Sequence, residues 1–238
     1  MFSWTLKAKD PPSVPTPAPA LISPVGCSST TFAINNAYSD IASGLANTVL
    51  VINPEISTPF VNYAKRDIHF IFGDGCVATV ISNNKKSNNQ YKILDRKLIT
   101  KFSNNIRSDW SYLVRAASDE KSIEDLLFYQ NGNSVFKEVC PMVAEFITTH
   151  LKDNNINPSE VSKFWLHQAN SRMVNLIVSK VIGTDDFDTS LAPLPIEKFG
   201  NLASAGSMFA FNLHNDLKKV IKVSSVLLVL VIQYVQLL

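Results

Sequence analysis

The segment Thr48-Val-Leu-Val-Ile52, closed by Asn53-Pro54, constrains this chain most. An unbroken apolar run rich in β-branched residues is the pattern of a strand buried on both faces. Just before it, over residues 28–46, Ala33, Ala37, Ile41 and Leu45 recur every four positions beside Phe32, Ile34 and Tyr38. That spacing predicts a buried helix, which Ser28 or Ser29 can cap. A helix leading into a buried strand predicts an α/β fold. Residues 70–82 predict a second strand pair around Gly73-Asp74-Gly75, and the asparagine-rich stretch 83–90 predicts an exposed loop.

The second half repeats the plan. Val135, Val139, Met142, Val143, Phe146, Ile147 and Leu151 trace one helical stripe with Lys137, Glu138 and Glu145 off it, which predicts a core-packing helix rather than a binding face. Residues 161–166 then predict a strand, His167-Gln-Ala-Asn170 a turn, and residues 171–182 a helix ended by Gly183. A further helix is expected over 207–217. At the other end, Pro11, Pro12, Pro15, Pro17, Pro19 and Pro24 remove backbone donors and fix φ, so no helix or strand runs through that stretch.

Composition narrows the class. With 238 residues, 46% hydrophobic and 18% charged, the chain suits one globular domain or two small ones. A net charge of +2 and scattered Lys and Arg argue against a nucleic-acid partner. Lys65, Arg66, Arg107 and Arg172 are solvated cations to which no role is assigned. Cys27, Cys76 and Cys140 form no C-x-x-C pair and are odd in number, which suits reduced thiols in a cytoplasmic protein. The first residues carry Lys7, Lys9 and Asp10 and no apolar core of a secretion signal.

Three residues share a setting at turns leading into helices. Cys27 precedes the first helix, His167 follows a strand, and Asn201 stands in Phe-Gly-Asn201-Leu-Ala-Ser-Ala-Gly before the last helix. A thiol at a helix N-terminus has its pKa lowered by the positive end of the dipole, which favours the attacking thiolate. The competing reading of Cys27 is a small packing residue. For His167 it is a satisfied core histidine, and for Asn201 a helix cap.

Gly-Cys27-Ser-Ser-Thr-Thr-Phe, Phe-Gly-Asp74-Gly, Trp-Leu-His167-Gln-Ala-Asn170-Ser-Arg-Met and Gly-Asn201-x-x-Ser-Ala-Gly stand in the order used by 3-oxoacyl-[acyl-carrier-protein] synthase III enzymes, which this chain resembles from Cys27 to Lys219. Phe102-Ser-Asn-Asn-Ile-Arg107 and Val135-Phe-Lys-Glu-Val-Cys-Pro-Met are similar to a subgroup of that family. The resemblance implies a thiolase-like αβαβα fold and an acyltransferase of fatty acid biosynthesis that performs a decarboxylative Claisen condensation. It implies Cys27 as the acyl acceptor, with His167 and Asn201 donating hydrogen bonds to the malonyl thioester carbonyl, where enolate charge develops. It implies no metal or redox cofactor, with coenzyme A or phosphopantetheine thioesters as substrates. Acyl-CoA or acyl-carrier protein, malonyl-acyl-carrier protein and a second copy of the chain are the implied partners. Phe32 and Phe72 are assigned to packing rather than to the acyl channel.

Against that family the chain divides into a proline-rich tail at 1–26, a partial thiolase-like N-terminal half with a polar insertion at 27–134, a C-terminal half at 135–219, and an apolar tail at 220–238. The family carries a βαβα segment ahead of its nucleophile, so an incomplete N-terminal half is expected here. After Lys219 the family has Gly-Asp, a strand and a glycine-rich loop whose backbone N–H helps form an oxyanion hole. Back-translation of the tail in a shifted frame recovers that loop over 225–233, which predicts a one-base deletion near the Lys219 codon. A membrane anchor there is disfavoured, since residues 223–238 fall short of roughly 20 apolar residues and include Gln233 and Gln236. The alternative function is a catalytically dead fragment or a non-catalytic acyl-thioester-binding partner.

Overall fold

The computed structural model describes residues 20–22, 25–66, 68–83, 91–107 and 127–215. Most of the proline-rich tail, the 84–90 part of the polar loop, residues 216–219, the apolar tail and the expected frame change near Lys219 lie outside the described residues.

The first helix, α1 (Ser29–Ala42), is shorter than its spacing predicts. Gly44 takes a left-handed φ of +78° and its N–H donates to the Ile41 carbonyl, a helix stop that turns Leu45 into solvent at 79% exposure. The next strand, β1 (Thr48–Glu55), runs on through Asn53-Pro54 and pairs antiparallel with β2 (Gly75–Ser82), Leu50 opposite Val80 and Ile52 opposite Ala78. It is not buried on both faces as expected. Val51 and Asn53 are buried, whereas Leu50 and Ile52 face outward. Antiparallel pairs tolerate one solvated face, and an edge position tolerates Pro54, so this apolar run does not require two covering layers. Around Gly73-Asp74-Gly75 one strand forms, not two; the residues before it pair elsewhere.

After a short antiparallel pair, β3 (Ile106–Arg107) with β4 (Tyr129–Gln130), the long helix α2 (Gly132–Asp153) begins at an Asn131 cap whose side chain accepts the Ser134 N–H. Its buried face is Val135, Val139, Cys140, Val143, Ala144, Ile147 and Leu151, close to the predicted stripe. It packs on α3 (Ser171–Ile182), whose Asn170 cap accepts from the Arg172 and Met173 N–H groups and whose end is Gly183 at φ +82°. Residues 161–166 join the same core through Val161, Phe164 and Leu166, and Phe164, Trp165 and Leu166 are fully buried. They start extended at Val161 but form no ladder among the described residues; Phe164 N–H donates to the Leu191 carbonyl. Lacking a neighbouring strand among the described residues, this run is a buried spine rather than the expected strand. The one-turn α4 (Ile196–Phe199) and α5 (Gly206–Leu213) complete the described chain.

Candidate active site

Two glycine motifs interlock to present Asn201. Its N–H donates to the Ile71 carbonyl at 2.8 Å, and its carbonyl accepts the Gly73 N–H at 3.1 Å, so Phe72 and Asn201 form a parallel bridge. A Cβ on Gly73 would collide with the Phe199 carbonyl oxygen. Gly200 holds φ at +71° with the Phe72–Gly73 backbone about as close as it can come, 3.0 Å from where a Cβ would be. Phe-Gly-Asp74-Gly is therefore a scaffold motif. Asp74 itself accepts from the Ser57 and Thr58 N–H groups and the Thr58 hydroxyl, and those bonds hold its carboxyl below the usual range.

Asn201 is buried, and its side-chain oxygen accepts the Ala203 N–H at 3.0 Å. Only an oxygen can accept that bond, which fixes the amide orientation and leaves the NH2 group as the donor. Asn201 caps neither the 203–205 turn nor α5, neither of which takes a side-chain cap bond; its oxygen instead braces the loop and leaves the NH2 group to donate. Ala203, next in the loop, holds an unusual φ of +43°.

His167 ends the buried spine. Its Nδ1 is buried with no hydrogen-bond partner among the described residues, an orphan uncommon enough to call for a function. Burial drives its pKa down to about 4, partly opposed by the Ala203 backbone, so the ring is neutral at physiological pH. Its neighbour Gln168 is the structural member of the motif. Its amide donates to the Leu166 and Pro193 carbonyls, and Gly206 packs on its Cβ.

Cys27 lies in a three-residue 3-10 turn, Gly26–Ser28, directly ahead of α1, with Gly26 at φ +57°. The expected lowering of its pKa by the helix dipole is overturned. Burial is the main cause that pushes the thiol up to about 11, and the charge of Glu55 adds to it. The Gly26–Ser28 turn packs against the Ala203–Ala205 turn, so Cys27, His167 and Asn201 all border the 201–205 loop. All three cysteines are free, as the sequence predicts.

Glu55 and Ser204 escaped the sequence reading. Glu55 closes β1, the same strand-end placement that singled out His167, and its Oε1 accepts both the N–H and the hydroxyl of Ser204. Phe72 packs edge-to-face on Phe128, in keeping with a packing role. Among the described residues no three His, Cys, Asp or Glu side chains group to hold a metal, and no helix is long and apolar enough to cross a membrane.

Residues 24–101 match the family model of 3-oxoacyl-[acyl-carrier-protein] synthase III, and residues 151–231 match that of its C-terminal domain, which runs into the apolar tail. The chain is 45% identical over 194 residues to a beta-ketodecanoyl-[acyl-carrier-protein] synthase of Pseudomonas aeruginosa, covering 81% of this chain and 55% of that protein. It is 29% identical to a beta-ketoacyl-[acyl-carrier-protein] synthase III of Campylobacter jejuni, over 78% of this chain and 54% of the other. The chain therefore spans about half the length of the curated relatives it matches. Its fold is that of solved synthase III structures from Thermus thermophilus (TM-score 0.67, 21% identity, 80% of this chain and 57% of that one) and Aquifex aeolicus (TM-score 0.66, 24% identity, 82% and 58%). The α/β architecture is accordingly thiolase-like. With both family models matched in order, the chain belongs to the 3-oxoacyl-[acyl-carrier-protein] synthase III family.

Proposed function

We propose that this chain carries the acyl-transfer and condensation site of a synthase III. The observation that carries this reading is the meeting of a partly buried thiol, a neutral imidazole and an oriented amide donor around one loop. Cys27 sulfur attacks the carbonyl of an acyl thioester of coenzyme A or a carrier protein. A C–S bond forms, the old one breaks, and the thiol proton leaves with the departing thiol. A malonyl thioester on a carrier protein then loses carbon dioxide. Its enolate oxygen is met by donors from His167 and Asn201, and fixed donors of this kind are each worth about a hundred- to a thousandfold in rate. The enolate carbon attacks the acyl-Cys27 carbonyl, releasing a 3-oxoacyl thioester and the Cys27 sulfur, which regains a proton. Neutrality of His167 suits this role, because a neutral imidazole donates without carrying a charge into a buried pocket. No step calls for a metal or a redox cofactor.

The 45% identity to a beta-ketodecanoyl synthase supports a medium-chain product, for which the acyl donor is octanoyl. The test is intact-protein and peptide mass spectrometry after incubation with octanoyl-CoA. An octanoyl adduct on Cys27, absent in Cys27→Ala, is expected. Binding of octanoyl-CoA with no adduct on Cys27 would sink the mechanism.

A further inference from the structure

Ser204 is the most heavily tied residue beside the candidate site. Its N–H donates to Glu55 Oε1 at 3.1 Å and its hydroxyl donates to the same oxygen. Asn53 Nδ2 donates to the Ser204 hydroxyl at 3.4 Å, and the Thr30 hydroxyl donates to the Ser204 carbonyl at 2.6 Å. These bonds bring the end of β1 and the first turn of α1 onto one residue of the 201–205 loop. Ala203, immediately before it, holds a positive φ that a residue with a Cβ keeps only where its surroundings over-determine it. Two of the four bonds that do so end on Glu55. None of them is needed to build β1 or α1, whose own backbone bonds are complete without them.

We propose that Glu55 is a positioning residue of the site, which through Ser204 clamps the loop carrying Asn201 against the turn carrying Cys27. The clamp rests on the synthase reading only for its consequence, the aim of Asn201; the loop and the thiol can be probed without turnover. Glu55 is half-buried, and its carboxyl is pushed up by that burial while the two Ser204 bonds pull it back down. It is the one charged group acting on Cys27 among the described residues, and His167, on the other side of the loop, is neutral. Glu55 therefore touches the thiol electrostatically and the loop mechanically, and two substitutions separate the two effects. Glu55→Gln keeps an oxygen for the Ser204 N–H and removes the charge. Glu55→Ala removes both.

The experiment is the pH profile of Cys27 alkylation by iodoacetamide, followed on the Cys27 peptide, together with hydrogen exchange of the 203–206 amides, on the whole chain and both variants. Glu55→Gln should move the alkylation profile about one unit to lower pH, the scale on which a neighbouring charge acts, and leave loop exchange within twofold of the parent. Glu55→Ala should move the profile likewise and speed loop exchange at least about tenfold, the response to an opening made easier by lost contacts. If Glu55→Ala does not fold, the Gln variant decides on the profile alone. An alkylation profile unchanged in Glu55→Gln overturns the proposal, as does loop exchange in a folded Glu55→Ala equal to that of the parent. Failure of octanoyl transfer to Cys27 in the parent, with these shifts present, would refute the synthase reading and leave the clamp standing.

Discussion

His167 is the residue whose ionisation most directly ties the site to the fold. Its pKa lies near 4 in the folded chain because burial disfavours the imidazolium, against an ordinary value of 6.5. In the unfolded chain the ring takes up a proton as pH falls through 6.5, whereas in the native chain it resists until about 4. The unfolded state thus binds more protons in that window, and stability falls as pH drops through it, then levels below. The loss is on the order of 3 kcal/mol, from the conversion of a pKa difference into free energy. Urea midpoints taken between pH 7.5 and 4 should show this decline in the parent. His167→Gln, which has nothing to titrate, should lack that component, and equal slopes in the two proteins would show that the ring is not buried neutral. Asn201 supplies the complementary constraint, since the bond from Ala203 N–H leaves only its NH2 group to donate. On the proposed mechanism, the neutral ring and the oriented amide would both donate to the enolate oxygen without a charge of their own to desolvate.

At the scale of elements the site depends on close backbone approach. Gly73 cannot carry a Cβ without striking the Phe199 carbonyl, while a Cβ at Gly75 meets only the Leu202 side chain at 3.3 Å. Gly73→Ala should therefore cost about 2–4 kcal/mol and Gly75→Ala less than about 1, measured by chemical denaturation, because a backbone atom cannot yield as a side-chain methyl can. Equal costs would mean that the 199–201 segment shifts freely, and that the bridge to Phe72 is not rigid. The sequence revealed these elements unevenly, for physical reasons. The α2 stripe, the 171–182 helix and its Gly183 stop were legible because helix periodicity and stop signals are local. Residues 48–52 were misjudged because an apolar run has the same composition whether one face is covered or two; coverage is decided by distant segments. Cys27, His167 and Asn201 were legible through their motifs, yet the raised thiol pKa was not, since it depends on burial and on Glu55, twenty-eight positions away in sequence. Glu55 itself was hidden because a lone carboxylate at a strand end gains meaning only when Ser204 is seen to meet it.

At the scale of the whole molecule, one sheet face is left uncovered among the described residues. Thr48, Leu50, Ile52 and Pro54 of β1 stand directly opposite Ser82, Val80, Ala78 and Cys76 of β2, and all eight point outward without a charge among them. Leu50 is 54% exposed and Val80 67%. An uncharged, apolar strand pair of this kind invites association, and a net charge of only +2 offers little repulsion to oppose it. The isolated chain should therefore self-associate, with sedimentation velocity giving species above the monomer at micromolar concentration. Leu50→Lys with Val80→Lys places like charges on that face, and in a second copy meeting it face to face. Because both side chains are already exposed, the pair should change folding stability by no more than about 1 kcal/mol, allowing for the directly opposed lysines. The double variant should sediment as a smaller species with its denaturation midpoint nearly unchanged. If its distribution matches the parent's, association runs through another surface. If the double variant instead unfolds, the two side chains must be more deeply covered in solution than their exposure indicates, and the bare face is a site of packing rather than of association.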